Sequence, residues 1–137
     1  MTWTILRPTA FMDNTTTGFA GKIFPVAWKV GLSTSTKLQL SSTTETGYFA
    51  AESLLRPEEF AGRDISLAGE ELTLEEANAG FKEKVGKDIP TFGFLASFLL
   101  WTVTDIDPMF KVFEQVGFGT DIQQLTKEYP DMLSLSD

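Results

Sequence analysis

Trp3-Thr4-Ile5-Leu6-Arg7-Pro8-Thr9-Ala10-Phe11-Met12-Asp13-Asn14 is the stretch from which the rest of this 137-residue chain can be read. Residues Thr2 to Leu6 alternate and carry Trp3 and Ile5 before Arg7-Pro8, a pattern that predicts a short strand ending at the proline. Phe11-Met12-Asp13-Asn14 then sets a single carboxylate between apolar residues and a helical pattern that runs from about Asn14 or Thr15 to Lys29. Phe19, Ile23, Phe24, Ala27 and Trp28 share one side of that pattern, and Pro25 is expected to kink or break it. Asp13 has two readings at this point: an N-cap for the helix, or a carboxyl that faces a pocket.

Working outward, Lys37 to Ser41 and Arg63 to Gly69 read as strands. Thr44 or Glu45 to Leu55 reads as a helix stopped by Arg56-Pro57. Thr73-Leu74-Glu75-Glu76 is a capping box, in which Thr73 can accept from the amide three residues on while Glu76 reaches back. The helix it opens carries Leu74, Ala77, Phe81 and Val85 on one face and closes at Gly86. Residues 92–103 are apolar almost all round, so that segment should be buried on most sides or pack against a second chain. Asp107-Pro108 should cap and start a helix that closes at Gly117, and Thr120 with Gln123 should open a last short one. The fold class expected is α+β, derived from an α/β ancestor: one domain with a small sheet of about three strands and five or six helices.

Composition removes whole classes of chemistry. The chain has no His and no Cys, which excludes an imidazole base, a thiol nucleophile, a Ser-His-Asp triad and the usual zinc sites. No G-x-G-x-x-G follows a strand and no phosphate-binding G-x-x-x-x-G-K-[ST] occurs. A net charge of −8 repels phosphate backbones and anionic lipid, so neither nucleic acid nor membrane is an expected partner. No apolar run reaches the length of a membrane span and the N-terminus lacks a signal peptide's pattern, which leads to the expectation of a cytoplasmic protein.

What remains is 12 Phe, 3 Trp and 2 Tyr beside scattered acids. Trp3, Phe11, Phe19 and Trp28 crowd the first segment, and Phe92, Phe94, Phe98 and Trp101 crowd the apolar one. Two such clusters can form ordinary core or line a pocket for a flat, apolar ligand. Asp13 is the only acid in residues 1–44, among Arg7, Lys22, Lys29 and Lys37. Glu45, Tyr48 and Glu52 share the next helix, with Glu52 suited to a solvated face. A carboxyl in a dry pocket is held neutral, the state that protonates a substrate oxygen.

The Trp3–Asn14 stretch, the strand and helix from Leu40-Ser41 to Ala51, and Ile65-Ser66-Leu67-Ala68-Gly69-Glu70-Glu71-Leu72-Thr73 together resemble the C-terminal portion of NmrA-like proteins. These are atypical short-chain dehydrogenase relatives with a Rossmann core. In that family the R-P-x-x-F-M-D-N stretch follows a core strand and lies beside the substrate, so the resemblance implies that Phe11, Asp13 and Asn14 face a pocket. The family usually has Asp-Ile-Gly where this chain has Glu45-Thr46-Gly47. Its glycine-rich nucleotide fingerprint would lie before Met1, so the resemblance implies a substrate lobe without its cofactor lobe and a strand edge and apolar helix left for a second copy. A homodimer is therefore expected.

Stand-alone members of this kind are similar to small fungal proteins of secondary metabolism that promote cationic epoxide rearrangement of quinolone alkaloids. The function expected on that basis is a cofactor-free isomerase or cyclase acting on an apolar aromatic molecule, with no metal or nucleotide. Asp13 would be the acid, Glu45 or Tyr48 its partner, and Trp3, Phe11, Asn14, Phe19, Trp28, Phe98 and Trp101 the substrate walls. The other expected class is a non-catalytic module that holds a ligand or a protein, derived from an NmrA-like redox sensor.

Overall fold

The computed structural model describes residues 2–16, 20–91 and 106–130. In chain order these form β1 (Thr4–Pro8), β2 (Ala10–Phe11), a 3-10 turn (Met12–Thr15), α1 (Ala20–Gly31), β3 (Leu38–Ser41), α2 (Thr43–Leu55) and α3 (Pro57–Phe60). Then follow β4 (Arg63–Leu67), β5 (Glu70–Leu72), α4 (Leu74–Val85), α5 (Ile106–Gln115) and α6 (Ile122–Glu128). Among the described residues this is a small α+β fold with six helices and two small sheets, of two and three strands. None of the described helices is long and apolar enough to cross a membrane. The chain divides into two units, each assembled from segments distant in sequence: Met1–Met12, Gln39–Glu70 and Thr120–Asp137 in the first, Asp13–Leu38 and Glu71–Gly119 in the second.

The first unit is organised by β1 and β4, which run parallel with Leu6 opposite Ile65 and Pro8 opposite Leu67. The strand continues through Pro8 instead of ending before it. Thr9 donates its amide to the Leu67 carbonyl at 3.1 Å, so the amides facing β4 are those of alternate residues and the missing donor of Pro8 falls on the opposite side. Arg7 grips Asp64 bidentately on the exposed face, with Nε–Oδ1 at 2.7 Å and Nη2–Oδ2 at 2.6 Å. The other face is apolar: Phe49 of α2, Phe60 of α3, Ile65, Leu67 and Leu125 of α6 form a buried cluster, with Leu6 and Tyr129 packed against it. Gln39 ties down the C-terminal segment with its side-chain amide, donating to the Thr120 carbonyl at 2.9 Å and accepting from the Thr120 amide at 3.0 Å.

In the second unit α4 starts where the capping box requires. Thr73 Oγ1 accepts from the Glu76 amide while the Glu76 carboxylate accepts from the Thr73 amide, and Gly86 ends the helix with φ of 74°. Asn78 fastens the following turn, donating to Asp88 at 2.9 Å and accepting from the Ile89 amide at 2.7 Å. Helix α1 contacts α4 and α5. At its C-terminal end Gly31 lies against the buried Phe110 of α5, where a Cβ would come within 2.6 Å of the ring.

Several boundaries differ from the sequence pattern. The helix expected from Asn14 or Thr15 begins at Ala20, because Met12–Thr15 closes as a 3-10 turn in which the Asp13 carbonyl accepts both the amide and the hydroxyl of Thr16. Asp13 therefore sits inside a turn and does not cap α1. Helix α5 begins at Ile106, one residue before the expected Asp107 cap. Asp121, and not Thr120, caps α6 by accepting from the Gln124 amide at 2.9 Å. Pro25 stays inside α1, where it cannot donate to the Gly21 carbonyl. The strand β5 escaped the sequence reading, and the apolar segment 92–103 lies outside the described residues.

Two outcomes follow from this packing. Gly31→Ala should destabilise the protein by about 1–3 kcal/mol through overpacking against Phe110, seen as a lower urea midpoint with an unchanged m-value. Hydrogen bonds from Thr73 hold the Glu76 carboxyl below its ordinary 4.5, and Asn78 followed by Lys82 lowers Asp88. Their stabilisation is present above the ordinary carboxylate values and is lost as pH falls through the lowered ones. Thermal melts between about pH 6 and about pH 3 should therefore show a shallower acid decline for Glu76→Gln than for the wild type.

Candidate functional site

The first unit holds a cleft of about 800 Å³ between the N-terminal half of α2, the ends of α3 and β4, and the residues that follow α6. One wall is aromatic. Phe49 and Tyr129 meet edge to face at 4.7 Å, Tyr48 lies at 5.9 Å from Phe49, and Phe60 stacks behind Tyr129 at 6.4 Å. Opposite chemistry comes from Arg56 and Arg63, whose guanidinium carbons lie 5.9 and 6.0 Å from the centre of the buried Phe60 ring.

Both arginines are positioned by the ends of elements. Arg56 is at once the C-cap of α2 and the residue before Pro57, and it pairs with Glu52 and, at 3.0 Å, with Glu59. Arg63, the first residue of β4, donates to the Tyr129 hydroxyl at 3.1 Å and to Glu128 at 2.8 Å. A hydroxyl that accepts from a guanidinium keeps its own proton available for a ligand oxygen. Hydrogen bonds from Gln124 and then from Arg63 hold the Glu128 carboxyl below its ordinary value.

Glu45 lies beneath the same wall. It occupies the third position of α2 after the N-cap Ser42, whose hydroxyl accepts from the Thr44 amide, and it is only 5% exposed, with both carboxyl oxygens shielded from solvent. One helical turn on, Tyr48 is 53% exposed, so the two members of the cleft share a face while differing sharply in access to water.

The family model of the NmrA-like family matches residues 2–133. The chain belongs to the NmrA-like family. Its fold is thereby related to that of redox sensors, and no curated protein matches it.

In this NmrA-like chain the residues singled out from sequence are distributed as follows. Glu45 and Tyr48 both line the cleft of the first unit. Asp13 is exposed on the 3-10 turn and lines neither this cleft nor a second cavity of about 510 Å³ in the second unit. Trp28 is buried and lines that second cavity, with Leu32, Asn78 and Ile89 among its neighbours there. Trp3 is 53% exposed, and Phe11 and Asn14 are half-buried and line neither cavity. Phe19, Phe98 and Trp101 lie outside the described residues.

Arg56, Arg63 and Tyr129 were missed by the sequence reading. Arg56 and Arg63 read locally as punctuation, one ending a helix and one beginning a strand. The signal available was their placement on either side of Phe60, the first large apolar residue after Pro57.

Proposed function

We propose that this NmrA-like chain binds an apolar aromatic small molecule in the cleft of the first unit and isomerises it by carboxyl acid catalysis, without nucleotide or metal. The observation that carries the proposal is Glu45: a carboxyl shut off from water at the edge of an aromatic-walled cleft, with Tyr48 beside it. An exposed Asp13 lacks that environment, so the acid role moves to Glu45.

For an epoxide substrate the step is balanced within the substrate and one carboxyl group. Glu45 gives its proton to the epoxide oxygen as one C–O bond breaks, leaving a carbocation next to the new hydroxyl. The aromatic faces of Tyr48, Phe49 and Tyr129 stabilise that cation, and exclusion of water prevents its capture as a diol. Migration or ring closure follows, and loss of a proton to the Glu45 carboxylate regenerates the acid. Because the Glu45 oxygens are covered by protein, the ligand must displace a covering side chain, and Tyr48, exposed one turn on, is the neighbour placed to yield.

One observation favours the second reading, a binding module of redox-sensor descent. Glu at the third position of a helix opened by Ser is where an acid serves the helix itself. Gln keeps the shape of that side chain and loses only the contact of a charge with the helix N-terminus, about 0.3–1 kcal/mol, so Glu45→Gln separates the two. Incubated with epoxidised aromatic compounds in the absence of nucleotide, the wild type should form the rearranged isomer. Glu45→Gln should be slower by about 100-fold while melting normally, and Asp13→Asn should be unaffected. Binding without turnover in the wild type selects the binding module. Equal turnover by Glu45→Gln removes it as the acid.

A homodimer is part of the same proposal. Among the described residues β1 pairs only with β4, so its outer edge over Thr4 to Leu6 has no partner strand and Pro8 closes one end of it. Sedimentation at micromolar concentration should give the mass of a dimer, and a monomer would exclude it.

A further inference from the structure

We propose that the cleft of the first unit selects aromatic molecules that carry a carboxylate, and that Arg63 is the residue that binds this group. The inference rests on the reading of the cleft as a small-molecule site and names the polar end of the molecule that enters it.

The argument begins with donors. A guanidinium offers five N–H groups in a rigid fork, and Arg63 gives one through Nη1 to Tyr129 and one through Nη2 to Glu128. Arg56 likewise gives one each to Glu59 and Glu52. The remaining donors of both residues have no acceptor among the described residues. Both guanidiniums lie near the same buried ring, so their stems are anchored and the forks are held at one place with little left to order on binding.

The two arginines differ in how firmly they are already engaged. The Glu52 side chain that pairs with Arg56 is 19% exposed, whereas the Glu128 side chain that pairs with Arg63 is 40% exposed. An ion pair standing in water contributes little and exchanges easily. A ligand carboxylate that enters along the aromatic wall can therefore replace Glu128 on Arg63, gaining a bidentate contact while Glu128 returns to solvent and keeps its hydrogen bond from Gln124. The Tyr129 hydroxyl, which accepts from Arg63, supplies a donor at the same spot. Aromatic body and anionic head are thus read by adjoining parts of one surface, with Phe49 and Tyr129 for the ring and Arg63 for the carboxylate.

Calorimetric titration of the full chain with naphthoate and with its neutral methyl ester tests this. Naphthoate should bind about tenfold more tightly than the ester. That preference should vanish in Arg63→Gln and widen in Glu128→Gln, which removes the competing carboxylate. Equal affinities in the wild type overturn the carboxylate site and leave the cleft as a site for neutral aromatics. A preference that survives Arg63→Gln, or that Glu128→Gln fails to widen, also overturns it. Failure of both compounds to bind overturns the small-molecule reading of the cleft together with the inference.

Discussion

The parallel pairing of β1 with β4 is the constraint on which the first unit depends. Parallel neighbours cannot be joined by a tight turn, so the chain leaving Pro8 must travel away and return before Arg63 can be set opposite Thr4. The return path ends with α2 and α3, and these bring Phe49 and Phe60 onto the apolar face that Leu6, Ile65 and Leu67 present. Arg63 reaches the cleft only because it is the first residue of the returning strand. Arg56 reaches it because Pro57 forces a break between the two helices. The site is thus a consequence of how a crossover must close.

Sequence patterns conveyed those parts of the fold whose signal is local and chemically redundant. In the capping box Thr73 and Glu76 satisfy each other's neighbourhood, and Gly86 supplies the left-handed residue that ends the helix, so three residues agree on one answer. Strands β1 and β4 were legible from alternation and from their flanking Pro and Gly, whereas the two-residue β2 was not and β1 runs through Pro8. Where the pattern misled, a competing local structure won. Asp13 has the composition of a cap, yet its carbonyl closes a 3-10 turn onto Thr16 and delays α1 to Ala20. Asp121 takes the place of Thr120 as the cap of α6, its carboxylate accepting from the Gln124 amide, while the side chain of Gln39 holds both backbone groups of Thr120. That tie joins positions 81 residues apart and leaves no mark in a short window.

The candidate site was legible to about the same depth and for the same reason. Glu45 and Tyr48 lie on one helix face, a relation fixed by spacing alone, and the cleft contains both. The isolation of Asp13 in sequence says nothing about burial, because burial is decided by what arrives from elsewhere in the chain. Glu45 is buried though it belongs to the acidic part of the sequence, while Asp13 is exposed though its neighbours along the chain are apolar. Arg63 and Tyr129 come together only in space, 66 residues apart.

The charge of the chain and the charge of the cleft oppose one another in a way that bears on both readings of the site. A net charge of −8 disfavours the approach of any anion from a distance, and salt screens that repulsion beyond a Debye length of about 10 Å. At contact the sign reverses, because the guanidinium donors of Arg63 act over hydrogen-bond distances. A cation formed along the aromatic wall, as the proposed isomerisation requires, would sit in the field of Glu59 and Glu128 as well as of the two arginines, so the paired charges would leave it without strong repulsion. The same ion pairs that make the cleft look electrically neutral therefore permit two different uses of it: an anionic head held at the arginines, and positive charge developed transiently among the rings.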